Sequence, residues 1–400
     1  MNLIDRQRYT SQIEQMYNKG LIIALTGQRR VGKSCVMQQL VSRLGSNNNI
    51  IYINKDQEQF SKIENHDDLT DYVTSRLVND RQNFLFIDEV QNITEFEKSL
   101  RSFQNDDSCN IIVTGSNAHI FSSELSTFLS GRCIEYHIQS LDYKEFLEFH
   151  KLENTDESLR KYLDVGGMPQ LHRFGIENID LVDDYLSSVF NTIVLKDIVE
   201  RENIRNVSLL KNLIRFVGDN IGKEISATSI AKFLKSERID VSTFIILNYL
   251  EYLSNAYIIN RVPRFDIHGK HIFETNAKYY FEDLGLRNNL SGHRHFGDIE
   301  KLIENAVYLH LKRCGYKVSV GVFRKAEIDF VAEKQNITVY VQATYLLASD
   351  ETIAREFGNL EKIPDNYPKY VVSMDNWFNG SNHNGIIHLS LKDFLLKYEF

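Results

Sequence analysis

The chain has 400 residues, 42% of them hydrophobic, with four prolines and a formal net charge of −8. That length calls for two to four domains, and that composition excludes a disordered or low-complexity protein. The acidic balance excludes a globally basic nucleic-acid binder, and Cys35, Cys109, Cys133 and Cys314 form no C-x-x-C pair, which argues against zinc and suits a reducing compartment.

The N-terminal stretch Met1-Asn-Leu-Ile-Asp-Arg-Gln-Arg-Tyr9 has no apolar signal core, and no apolar run reaches membrane-span length. The expectation is a cytoplasmic protein without a membrane partner. Residues 1–45 are basic on balance, with Arg6, Arg8, Lys19, Arg29, Arg30, Lys33 and Arg43 set against Asp5 and Glu14. A bound triphosphate would account for part of that excess.

Leu21-Ile-Ile-Ala-Leu25 is an apolar run of strand length. Gly27-Gln28-Arg29-Arg30-Val31-Gly32-Lys33-Ser34 follows and matches G-x-x-x-x-G-K-[ST] without a mismatch. Val36, Met37, Leu40, Val41 and Leu44 then recur at helical spacing. Strand, glycine loop and helix are the context a phosphate-binding loop needs. The two glycines let the backbone N–H groups converge on phosphate oxygens, and the helix starting near Lys33 points its positive dipole end there. Lys33 is expected to reach the β- and γ-phosphates, and the Ser34 hydroxyl to ligate Mg²⁺. The nucleotide-binding set is Gly27 through Ser34 together with Cys35.

Further strand-like runs follow at Ile50–Ile53, Phe84–Ile87, Ile111–Val113 and Ile134–Ile138, most of them separated by helical patterns. That alternation predicts a parallel sheet covered on both faces. Phe84-Leu-Phe-Ile-Asp88-Glu89 has the Walker B pattern. Its strand carries the carboxylates to a C-terminal edge, where Asp88 would hold the Mg²⁺ shell and Glu89 would polarise the attacking water. Nucleotide hydrolases with a glutamate after the Walker B aspartate often insert a strand between the loop strand and the Walker B strand. Here the Ile111–Val113 run would be that strand, and Ser116 or Asn117 at its tip fits a γ-phosphate sensor. Arg132, within Ser130-Gly131-Arg132, is a candidate arginine finger acting on its own site or on a neighbour's, so a homo-oligomer is one reading.

Six stretches carry a family resemblance: TGQRRVGKS, FLFIDEVQN, IIVTGSNAHI, LSGRCIEYHIQSLDYKEFL, VGGMPQ at 165–170 and YYFEDLGLRNNL at 279–290. The chain resembles AAA-type ATP-binding proteins of the AAA_14/DUF4143 family, in the archaeal-ATPase, STAND-like branch. The resemblance covers nearly the whole chain. It implies a P-loop ATPase core, a helical segment, a winged-helix-like domain and a nuclease-like tail, with ATP and Mg²⁺ as cofactors and a DUF4143 region over about 190–345.

In those terms the expected organisation is an ATPase domain at 1–150, a helical lid or linker at 151–205, a winged-helix-like domain at 206–290 and a nuclease-like domain at 291–400. Gly166-Gly167-Met168-Pro169 breaks the chain and reads as the boundary of the core. In the winged-helix region Ser226 caps one helix and Thr243 opens another, with strands at Tyr257–Pro263 and His271–Phe281 as wings. The second helix offers Ser242, Thr243, Asn248 and Glu251 without Arg or Lys, which favours protein contact over DNA reading.

From Lys301 the order helix, three strands, helix, strand resembles the PD-(D/E)xK nuclease fold. Asp329 stands at the first metal-binding position. Gln342 and Thr344 replace the acid and lysine of E-x-K, with Glu304 and Glu327 as partial compensation and Lys325 as a displaced lysine. That reads as a degenerate, non-cutting site. The leading functional expectation is an ATP-hydrolysing switch or remodeller, with Lys33, Glu89 and Arg132 in catalytic roles and DNA or a protein as partner. The alternatives are a nucleotide-stabilised binding module without turnover and an ATP-gated DNA nuclease.

Overall fold

The computed structural model describes residues 4–118, 131–291, 298–324, 326–377 and 379–400. Ser130 and Lys325, both singled out above, lie outside the described residues. The chain forms two compact units. One comprises residues 1–139 together with 255–257, and the other residues 140–254 and 258–400.

The first unit holds five parallel strands: β1 (Ile22–Thr26), β2 (Asn49–Asn54), β3 (Asn83–Asp88), β4 (Asn110–Thr114) and β5 (Cys133–His137), in the order β2-β3-β4-β1-β5. β4 thus lies between the loop strand β1 and the carboxylate strand β3, with Ile23 opposite Ile112 and Ile87 opposite Val113. Every residue of β1 is buried, as a strand covered on both faces requires. One face packs Ile22, Ala24, Leu85, Ile87, Ile111 and Val113 against Leu69, Val73, Leu100 and Phe103. These last four come from the helices His66–Thr74 and Phe96–Asn105. Asn65 begins the first of them with a capping box to Asp68, a feature that contributes about 1 kcal/mol.

The second unit begins with helices Tyr143–His150, Asp156–Val165 and Ile179–Thr192, the last continuing in wide π turns through Ile193–Glu200. Helices Val207–Asp219, Ala227–Ser236 and Thr243–Asn255 follow, with Ser226 capping the middle one. An eight-stranded mixed sheet completes the unit. Its strands are β6 (Ile259–Asp266), β7 (His271–Phe281), β8 (Lys317–Phe323), β9 (Ala326–Lys334), β10 (Ile337–Ala343), β11 (Lys369–Ser373), β12 (Asn382–His383) and β13 (Ile386–Ser390). The helices Ile299–Arg313 and Asp350–Glu361 flank β8–β10, so the helix-three-strands-helix-strand order read from the sequence is present.

Two boundaries differ from the sequence reading, which divides the chain at 150, 205 and 290. The β6–β7 hairpin is not a free wing. β6 pairs in parallel with β8 through Arg264–Val320 and Asp266–Val322, so the hairpin extends the C-terminal sheet and joins what the sequence separates at 290. Gly166-Gly167, read from the sequence as the boundary of the core, lies within the second unit. A Cβ on Gly166 would stand 2.4 Å from the Gly285 nitrogen, and the Gly167 N–H donates to Asp283 Oδ2 at 2.9 Å. The glycines are there for close packing inside the second unit, which starts at Ser140. Among the described residues no helix is long and apolar enough to cross a membrane.

Candidate nucleotide site

The site lies at the C-terminal ends of β1, β3 and β4. Gly27 leaves β1 with φ 134°, and a Cβ there would meet the Ile138 carbonyl oxygen at 2.1 Å, so no other residue fits. Gly32, with φ 99°, precedes the helix Lys33–Arg43, whose first-turn N–H groups are the donors an anion requires. Lys33 is buried, and its Nζ donates to Gly27 O at 2.9 Å and Gln28 O at 3.0 Å, which hold the ammonium over the loop. Val31 is buried, while Arg30 and Cys35 are exposed.

Asp88 and Glu89 end β3 beside this loop. Burial pushes the Asp88 carboxyl up, and Glu89 adds to that. Hydrogen bonds from Thr114 and Ser34 and the charge of Lys33 pull the other way. Ser34, Lys33, Asp88 and Glu89 are therefore brought together. Thr114, at the end of β4, organises the pair of acids. Its hydroxyl donates to Asp88 Oδ1 at 2.6 Å and accepts from the Glu89 N–H at 2.9 Å. Glu89 sits in the left-handed region at φ 58°, and the Gln91 side-chain amide donates to its Oε2. Ser116 and Asn117 are both buried just beyond Thr114.

Arg132 is placed elsewhere. It precedes β5, whose Cys133 pairs with Ile22 at the start of β1, whereas the phosphate loop follows the end of β1. The separation is one strand length, about 16 Å. The Arg132 guanidinium donates to Asn105 at 2.8 Å. That placement is away from its own phosphate loop and fits a structural role at Asn105 or a reading across subunits.

Two contributors carry no motif signal. Thr114 is an ordinary strand residue in sequence. Arg6 is buried and donates from one nitrogen to Val31 O in the loop and to Gln139 O, both at 3.0 Å. It braces the loop from the N-terminal segment. The basic excess of the first 45 residues was the only hint.

In the second unit Glu304, Glu327, Asp329 and Gln342 do converge. The lysine among them is Lys278 of β7, whose Nζ lies 2.9 Å from both Glu304 and Glu327 and 3.9 Å from Asp329. Burial pulls its ammonium down, but Glu304, Asp329 and Glu327 outweigh that and hold it above the usual lysine range. Tyr280 donates to Glu304 at 2.6 Å, Ala343 N–H donates to Asp329 Oδ2 at 2.8 Å, and Asp329 N–H donates to Gln342 Oε1 at 3.3 Å. Burial, then Glu304, push the Asp329 carboxyl well above its usual range. Thr344 lies past the end of β10, where its N–H donates to Val372 O. A cavity of about 550 Å³ opens beside Glu327, lined also by Arg324, Asn359 and Lys362.

The parallel sheet, the glycine loop and the paired acids define a P-loop nucleoside triphosphatase core. A family model described as an AAA domain, AAA_14, matches residues 19–147. A second, the domain of unknown function DUF8612, matches residues 156–296, in place of the DUF4143 region that the sequence resemblance implies. An uncharacterised protein of Haemophilus influenzae is 31% identical over 404 residues, spanning 99% of each chain. An uncharacterised protein of Methanocaldococcus jannaschii is 31% identical over 368 residues, 88% of this chain and 80% of that one. A Walker-type ATPase of Pyrococcus abyssi shares the fold over 72% of this chain and 95% of its own, with a TM-score of 0.51 and 15% identity. The chain belongs to one family with the Haemophilus and Methanocaldococcus proteins, an AAA-type P-loop ATPase family.

Proposed function

We propose that the protein binds and hydrolyses Mg-ATP and acts as a molecular switch or remodeller. The observation that carries this reading is the convergence of Lys33, Ser34, Asp88 and Glu89 on one loop, with Thr114 holding both acids. The donor set fits the cofactors. Backbone N–H groups and a lysine suit phosphates, while a hydroxyl and a carboxylate suit Mg²⁺, a hard ion that keeps several waters. Bound Mg-ATP supplies the phosphoryl group and the charge that its transfer redistributes. Lys33 would hold phosphate oxygens, Ser34 and Asp88 the metal shell, and Glu89 would orient and deprotonate the attacking water. Ser116 and Asn117 are the sensor candidates, and Arg132 would act across copies of the chain.

A second reading, a nucleotide-held binding module without turnover, draws on the Gln91 amide bound to Glu89, which competes with water for that carboxylate. Nuclease chemistry in the second unit is the weakest reading, because Lys278 already satisfies Glu304 and Glu327. DNA or a protein remains the proposed partner class. The deciding experiment is phosphate release by the purified protein with Mg-ATP, alone and with single-stranded, double-stranded and branched DNA. Turnover supports the switch, stimulation identifies a DNA partner, and binding without turnover supports the module.

A further inference from the structure

Three residues of the chain are out of place. Asn255–Tyr257 belong by their contacts to the ATPase unit, while the residues up to Ser254 and from Ile258 onward belong to the other. They cap the end of helix Thr243–Asn255 and precede β6. The phosphate loop, the residue after the candidate sensors and β5 touch them. The Gln28 side-chain amide, from the phosphate loop, donates to Tyr257 O at 2.8 Å. Ala118 N–H, next to the candidate sensor Asn117, donates to Asn255 O at 2.9 Å. The Tyr257 ring lies 4.7 Å from His137, and its hydroxyl is 3.5 Å from Glu135 Oε1. That carboxylate also accepts from Thr26, the residue before Gly27, at 2.5 Å.

We propose that this segment is a nucleotide-responsive tether: filling of the phosphate loop is passed through Gln28 to Tyr257 and thence to the helix Thr243–Asn255. The inference rests on the nucleotide-site reading. Its mechanism is a competition for Lys33. The Lys33 ammonium donates to Gln28 O at 3.0 Å, and the same residue holds Tyr257 through its side chain. Phosphate oxygens are stronger acceptors than loop carbonyls, so an arriving phosphate takes Lys33 from Gln28. Gln28 is then free to shift, and its hydrogen bond to Tyr257 shifts with it. The junction is also short of hydrogen bonds. Among the described residues Gln28 Oε1 is a buried acceptor and Asn255 Nδ2 a buried donor without a partner. Tyr257 is held at φ 54°, in the left-handed region. A contact with unmet buried polar groups and a strained backbone has a second arrangement within reach, which a switching element needs.

The test is amide hydrogen exchange on the full chain, without nucleotide and at saturating Mg-ADP and Mg-ATPγS, saturation being fixed by titration for each protein. In the wild type, nucleotide should change exchange over residues 243–258 and at Ala118 by at least about fivefold, the low end of allosteric coupling factors. In Gln28→Leu and Gln28→Ala, each of which removes the donor to the Tyr257 carbonyl, the change over 243–258 with the site filled should fall below about twofold. Tyr257→Phe, which keeps the ring on His137, guards against a variant that does not fold, and should show an intermediate response. A filled site whose loop amides respond while 243–258 stay unchanged in the wild type overturns the tether. So does a wild-type response in the variants. Failure of nucleotide to bind the wild type at all removes the site reading first, and the tether with it.

Discussion

The Thr114 hydroxyl stands between the two acids of the site, donating to Asp88 Oδ1 at 2.6 Å and accepting from the backbone N–H of Glu89 at 2.9 Å. One side chain on β4 thereby sets the carboxylate that would face Mg²⁺ and the backbone turn that aims the would-be base. Thr114→Val keeps shape and strand preference but leaves a buried acceptor and a buried donor unmet. That should cost about 1–3 kcal/mol of stability and lower hydrolysis several-fold. Thr114→Ser should restore most of both. A melting curve and a steady-state ATPase assay read the two effects, and unchanged values in the Val variant would remove the organising role.

Lys33 is the cation that the loop carbonyls hold in place. Lys33→Ala should weaken Mg-ATP binding about 10–100-fold, the value of a charge-assisted hydrogen bond to phosphate. Equal affinities in a nucleotide titration would mean that phosphates do not bind at this loop.

Glu89→Gln keeps the volume and removes the carboxylate. Nucleotide affinity should stay within about threefold while turnover falls by roughly a hundredfold, the low range for a general base. Gln91→Ala, which frees Glu89 Oε2, should not lower the rate. Equal turnover of Glu89→Gln and wild type in a phosphate-release assay points to another base or to none.

The parts of this site that could be read from sequence are the contiguous ones. Gly27 to Ser34 and Phe84 to Glu89 each carry their chemistry within a few residues, and the strand inserted between them follows from that pairing. Thr114 could not be singled out, because its role depends on β4 lying beside β3 with Val113 opposite Ile87. Arg6 reaches carbonyls 25 and 133 positions away, and no spacing rule reports such a contact. The same holds in the second unit. The lysine sought within the β10 motif comes instead from β7, and the hairpin carrying it pairs with a strand beyond the expected boundary. Gly166-Gly167 looks alike in sequence whether it hinges a linker or packs a core, and the tertiary contacts with 283–285 decide for packing.

His150 adds a pH dependence unrelated to the nucleotide. Burial, helped by His172, lowers its pKa from the usual 6.5 to about 4. Its Nε2 is buried without a hydrogen bond among the described residues. A depressed folded pKa favours the neutral ring, so its stabilising share is complete above about pH 6.5 and is lost as pH falls toward 4. Allowing for partial exposure, the loss is on the order of 1–2 kcal/mol. His150→Phe should flatten melting temperature against pH in that window. An unchanged slope would assign the acid sensitivity to other groups.

No metal-dependent DNA cleavage is expected from the second unit. Cleavage needs a cation held by ionised oxygens and a group that activates water. Asp329 is a poor anion, since burial and the neighbouring Glu304 favour its protonated form. Gln342 Oε1 is already taken by the Asp329 N–H. Glu304 and Glu327 both pair with Lys278, whose ammonium a divalent ion would have to displace. Among the described residues no three His, Cys, Asp or Glu side chains are disposed to hold a metal. Lys278 is instead a structural counter-ion. Lys278→Met leaves Glu304 as a largely buried, unpaired charge and should cost about 3–5 kcal/mol, seen as a lowered melting temperature. The cleavage test incubates linear, branched and single-stranded DNA with the wild type in Mg²⁺ and in Mn²⁺, with Asp329→Ala as control. Cutting that vanishes in the control would establish an active site built around Asp329, with Lys278 in the catalytic role that Thr344 cannot fill.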